Sequence, residues 1–131
     1  MNIYNSTKKI IIDILFNNFE KLNKDIERNI TCEQPKKEKF GDISTNVIMV
    51  ASKHLNLDKK LLYKILSKNI LKNKIFDKAS FVEPGFLNLN FSDTFWLGFL
   101  KTIYLEKNNY GFINIGKNKK INIEFVSANP T

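Results

Sequence analysis

The chain has 131 residues, a formal net charge of +8 and a single cysteine, Cys32. That length suits one domain, or one domain with a piece of another, and is enough to bury a core. One thiol excludes an internal disulfide and points to the cytosol, and no run reaches the roughly 18 apolar residues of a membrane span. The N-terminal apolar run is interrupted by Asp13 and lacks a small-residue cleavage site, so neither a signal peptide nor a transit peptide is expected. Cys32 and the one histidine, His54, are too few for a standard zinc site. The positive charge suggests a polyanionic partner. Arg28 is the sole arginine among 21 basic residues, and Asn, Ile and Phe are abundant. That mixture matches an AT-rich coding bias, which weakens the inference to nucleic acid without cancelling the field.

Asn5 or Ser6 is placed to cap a first helix, whose apolar positions Ile11, Ile14, Leu15, Phe19 and Leu22 recur at helical spacing until about Asn23. Residues 26–34 read as a strand, with Ile26, Ile30 and Cys32 on one face and Pro35 as its end. Pro35 to Lys39 is a charged loop, either a solvated turn or a phosphate contact. Asp42 or Ser44 is expected to cap a second helix through Val47, Ile48, Val50, Ala51 and Leu55. Asp58 caps a third, with Leu61, Leu62, Ile65, Leu66 and Ile70 inward. Lys60, Lys64, Lys68 and Lys72 face outward as a basic ridge about 18 Å long. Pro84-Gly85 fits the centre of a type II turn. Beyond it Leu87, Leu89 and Phe91 alternate with Phe86, Asn88 and Asn90, giving an apolar core face and a second face that sets a ring beside two amides. Ser92 or Asp93 caps a fourth helix, through Phe95, Trp96, Phe99, Leu100, Ile103 and Tyr104. A closing strand is expected at 121–126. The sum is an α+β fold: a small antiparallel sheet with about four helices.

Two constellations could carry chemistry. Phe86 and Asn88 sit on one strand face about 7 Å apart. A ring there offers a stacking platform to an unpaired base, and a neighbouring amide can read a base edge. The alternative is that a helix covers Phe86 and Asn88 merely caps a turn. Glu124, Ser127 and Asn129 follow the closing strand. A carboxylate, a hydroxyl and an amide at a strand's carboxyl end suit an amino-acid ligand, the alternative being a simple Asx-Pro turn. Gly116-Lys117 lacks the spacing of a Walker loop, and no hydrolytic arrangement is present.

Three stretches carry a family resemblance: KFGDISTN ahead of an apolar helix, PGFLNLNF, and IEFVSANPT, in this order. Together they resemble the N-terminal part of bacterial arginyl-tRNA synthetases. The resemblance implies a tRNA-binding domain over residues 1–112, which touches the D-loop at the tRNA elbow through Phe86 and Asn88. It implies that 113–131 are a linker and the first strand of a truncated class I Rossmann catalytic domain. Glu124, Ser127 and Asn129 would contribute to the arginine pocket, and Ala128, Asn129, Pro130 and Thr131 would open the ATP-binding signature, cut after Thr131. The full-length enzyme would use ATP with Mg²⁺ to attach arginine to its tRNA. The 131-residue fragment would bind no cofactor, hold no catalytic residue and be inactive alone. A cytoplasmic monomer without membrane attachment is expected. The competing readings are a free-standing basic RNA-binding module and a protein-interaction domain.

Overall fold

A computed structural model describes residues 2–123. Helix α1 (Ile3–Asn18) starts three residues ahead of the expected cap, because the Asn2 side chain accepts hydrogen bonds from the Tyr4 and Asn5 amides, both at 3.1 Å. It ends at Asn18 rather than near Asn23, although Leu22 still reaches the core. The expected strand over 26–34 is instead a short helix, α2 (Ile26–Asn29), followed by a two-residue strand, β1 (Cys32–Glu33). Ile26 and Ile30 are both fully buried. Their four-residue spacing fits one helical turn as well as a strand face, which is why alternation misled.

The largest correction follows. Neither Asp42 nor Ser44 caps a helix. Ile43–Thr45 form β2, and α3 (Val47–Leu55) begins only after Asn46. The Asn46 side chain does not cap α3. It accepts from the Thr31 amide and donates to the Asn29 carbonyl, each at 2.9 Å, and so ties the α2–β1 segment to β2. Helix α4 (Lys59–Ile70) does start as expected, with the Asp58 carboxylate accepting from the Leu61 amide at 2.9 Å. Leu62, Leu66 and Ile70 point inward from it, but Leu61 is exposed.

Strands β3 (Phe76–Val82) and β4 (Phe86–Phe91) complete a four-stranded antiparallel sheet in the order β1-β2-β4-β3. The turn joining them is not type II. Pro84 takes the third position of Val82–Gly85 with a cis Glu83–Pro84 peptide, and the Gly85 amide donates to the Val82 carbonyl at 3.1 Å. Glycine is required at 85 because a Cβ there would come within 3.0 Å of Met49 Cβ. The close approach lets the Gly85 carbonyl accept from the Met49 amide at 2.9 Å, satisfying one of the free donors at the start of α3.

One face of the sheet forms the core. Leu87, Leu89 and Phe91 of β4 and Ile43 of β2 are buried together with Ile11 and Leu15 of α1, Val47, Ile48 and Ala51 of α3, and the inward stripe of α4. Helix α5 (Asp93–Glu106) is joined to this core only at its start. Phe91 stacks on Phe95 with centroids 4.1 Å apart, and on Phe76 at 5.4 Å. Beyond that, α5 has no buried residue, and Leu97, Leu100, Tyr104 and Leu105 are exposed. Five α-helices, not four, are present among the described residues. Residues 121–123 are irregular and exposed, and the rest of the expected closing strand lies outside the described residues. No helix among the described residues is long and apolar enough to cross a membrane.

Ser92 fixes the junction between β4 and α5. Its hydroxyl accepts from the Phe95 amide at 3.2 Å and donates to the Lys74 carbonyl at 2.8 Å. Ser92→Ala is expected to destabilise the fold by about 1 kcal/mol, the usual cost of an N-cap. A lowered urea midpoint with an unchanged m-value is the confirming measurement.

Candidate nucleic-acid interface

The helices cover one sheet face and leave the other to a loop. Antiparallel register places Glu33 against Ser44, Ser44 against Asn88, and Asn88 against Ser80. These four side chains form one polar row across all four strands, at roughly 4.8 Å per strand. Phe86 lies two residues before Asn88 on the same face. The segment after β1 curls over this row, so that Pro35, Lys36 and Phe40 join Ser44, Phe86 and Asn88 in lining a cavity of about 240 Å³. That volume falls just below the range of roughly 300–1,000 Å³ for drug-sized ligands, so the cavity suits a small group.

Asn88 is only 4% exposed, and its Oδ1 is the one buried side-chain polar atom without a hydrogen-bond partner among the described residues. Leaving such an atom unpaired costs about 1–3 kcal/mol. Asn88 is one of the residues lining the cavity, so a side-chain amide with an unused acceptor stands beside it. Phe86 is half-buried, and no helix seals it. Around this cavity Phe86 meets residues of the segment after β1, and Asn88 sits within a strand instead of at a turn.

Ser44 and Phe40 are among the cavity residues that sequence reasoning did not single out as site residues. Ser44 was read as a helix cap, because a three-residue strand is too short to show alternation. Phe40 gave no signal beyond its place in KFGD. The loop that carries Phe40 is fastened to β4. The Asp42 carboxylate accepts from the Phe91 amide at 2.8 Å, and the Asp42 amide donates to the Leu89 carbonyl at 2.9 Å.

Other features offer less. A cavity of about 960 Å³ lies between the start of α1 and the segment after α5, walled chiefly by Ile3, Tyr4, Phe99, Tyr110, Phe112 and Ile113. It holds no unpartnered buried polar atom among the described residues. Lys60, Lys64 and Lys68 are exposed along α4, and Lys72, which the sequence placed on the same ridge, is exposed in the turn just past the helix end. Burial pushes the Cys32 thiol above its ordinary pKa, opposed by the Thr45 hydrogen bond and the charge of Lys8, so it is a poor nucleophile. No group of three or more metal-ligating side chains occurs among the described residues. Glu124, Ser127, Ala128, Asn129, Pro130 and Thr131 all lie outside the described residues.

Comparison with known proteins points to one family. The sequence model of the family described as "Arginyl tRNA synthetase N terminal domain" matches residues 5–91, a span that holds the whole sheet. The arginine–tRNA ligase of Acetivibrio thermocellus is 34% identical over 137 residues, covering 99% of this chain and 24% of the relative. That of Wolbachia sp. subsp. Brugia malayi is 36% identical over 136 residues, covering 100% of this chain and 23% of the relative. That of Wolbachia pipientis subsp. Culex pipiens is 42% identical over 106 residues, covering 79% of this chain and 18% of the relative. The chain thus spans about a quarter of the length of the relatives that it matches end to end. On the family match and these identities, the chain belongs to the arginyl-tRNA synthetase N-terminal domain family.

Proposed function

We propose that the chain is the tRNA-binding N-terminal portion of an arginine–tRNA ligase, and that Phe86 and Asn88 hold an unpaired nucleotide of the D-loop at the tRNA elbow. The observation that carries this reading is that Phe86 and Asn88, whose buried Oδ1 has no hydrogen-bond partner, line one cavity. Sequence-specific RNA recognition targets unstacked bases, which stack on aromatic rings and offer their edges to amides. A net charge of +8 supplies the attraction to phosphate that brings tRNA to the surface.

In this reading the domain boundary lies at 112/113. Glu124, Ser127 and Asn129 belong to the arginine pocket of a class I catalytic domain, and residues 128–131 begin its ATP-binding signature. The complete enzyme joins arginine to the α-phosphate of ATP and then passes it to the terminal ribose of the tRNA. The 1–112 domain contributes orientation, placing the tRNA on the enzyme, and takes no part in bond making.

Competition separates base capture from plain phosphate attraction. Purified chain 1–131 is bound to a labelled arginine-specific tRNA transcript at about 150 mM salt. It is then competed with the unlabelled transcript or with a fully paired RNA duplex. The duplex offers phosphates but no extruded base, so the transcript is expected to compete at least about fivefold better, the low end of one stacking contact. Equal competition would leave only non-specific charge and would sink the reading.

A further inference from the structure

Resting on that reading, we propose that the cavity is a two-walled slot in which Phe40 is a second stacking residue, facing the captured base from the side opposite Phe86. The geometry along β4 carries this. Phe86 flanks Asn88 on its N-terminal side. The loop bearing Phe40 is fastened on the C-terminal side, through the Asp42 contacts to the Leu89 carbonyl and the Phe91 amide. Phe86 and Asn90 are four residues apart, about 13 Å along a strand, with Asn88 midway. Phe40 and Phe86 nonetheless line the same cavity as Asn88, which puts Phe40 within reach of a base held there.

Gly41 sets that reach. Its φ of +92° is a region glycine occupies freely, and a Cβ there would stand 2.8 Å from the Leu89 carbonyl oxygen and 3.0 Å from Asn90 Oδ1. The chain therefore bends tightly against β4 immediately after Phe40. The Phe40 and Gly41 amides donate to the Lys37 and Glu38 carbonyls, each at 3.0 Å, closing the short 3₁₀ turn (Glu38–Phe40) that presents the ring. The Lys39 ammonium lies 5.3 Å from the Phe40 centroid, and Lys39 is not among the residues lining the cavity. The ring thus has a cation beside it, from a residue that does not line the slot. Behind the loop a second cavity of about 460 Å³, lined by Pro35, Glu38, Gly41 and Asp42 together with Tyr4 and Trp96, separates it from α1 and α5. The Asp42 hydrogen bonds to β4 anchor the loop two residues after Phe40.

Flat walls on both sides select a planar, unstacked group and exclude a base that is still paired and stacked. The Ser44 hydroxyl, beside Asn88 in the polar row, adds a donor and an acceptor at the base edge.

The test measures binding of the arginine-specific tRNA transcript by wild-type chain 1–131 and by Phe40→Ala, Phe40→Tyr and Phe86→Ala. Thermal melts check that each variant folds. Phe40→Ala is expected to weaken binding by roughly 5- to 100-fold, in the range of one lost stacking contact, and Phe40→Tyr, which keeps the ring, by less than about twofold. If Phe86→Ala weakens binding while Phe40→Ala, melting like wild type, does not, the second wall is overturned and the base-capture reading survives. If a folded Phe40→Tyr loses as much as Phe40→Ala, the effect is not stacking and the proposal is likewise overturned. If neither Phe40→Ala nor Phe86→Ala changes binding, the base-capture reading falls and takes the second wall with it.

Discussion

Phe86→Ala is expected to weaken tRNA binding by roughly 1–3 kcal/mol, about 5- to 150-fold, while leaving the fold intact. The ring is half-buried at the rim of the cavity and does not belong to the core formed by Leu87, Leu89 and Phe91 on the opposite face of the same strand. Removing it takes away a stacking surface without opening the interior. The salt dependence separates this effect from lost charge. Stacking on a neutral ring releases no counterions, so the slope of log K against log salt should match wild type, whereas losing a phosphate-contacting lysine on a duplex flattens it by about 0.9. Titration at three salt concentrations gives both quantities. A variant that binds like wild type, or one whose slope changes, would contradict the platform assignment.

Asn88→Leu is expected to separate stability from binding. Leucine has a similar size and no polar atoms, so it removes a buried acceptor whose lack of a partner costs about 1–3 kcal/mol. The urea midpoint should therefore stay level or rise. Binding should fall by a comparable roughly 1–3 kcal/mol, because a base edge that met the amide would then meet only methyl groups. Residues selected for a site commonly carry such a trade-off. If Asn88→Leu is less stable than wild type and still binds tRNA normally, Asn88 is a structural residue with no role in base reading.

The core was legible because its pattern is strong. Leu87, Leu89 and Phe91 alternate over a full strand, and Leu62, Leu66 and Ile70 repeat at helical spacing, so burial on one face follows directly. Asp58 and Ser92 could be identified as caps since both stand immediately ahead of an apolar helical run. Errors fell where elements were shorter than their own period. Ile43–Thr45 spans three residues and Cys32–Glu33 two, and neither is long enough to display alternation. Ile26 and Ile30 fit two periodicities at once. At the turn between β3 and β4, the approach of Met49 of α3 to Gly85 is a contact that no local pattern displays.

By itself, then, the sequence determined the class of fold, the apolar faces, the pairing of Phe86 with Asn88 on one side of a strand, and the family through three ordered motifs. Tertiary structure alone decided that this side would be left uncovered by helices and that a loop from the far edge of the sheet would bring Phe40 to it. It likewise decided that Asn88 Oδ1 would be buried without a partner. The reason is that side-chain alternation is a local property of one strand. The company a residue keeps across the sheet is set instead by strand order and register, which place Glu33, Ser44, Asn88 and Ser80 in one row although they lie far apart along the chain.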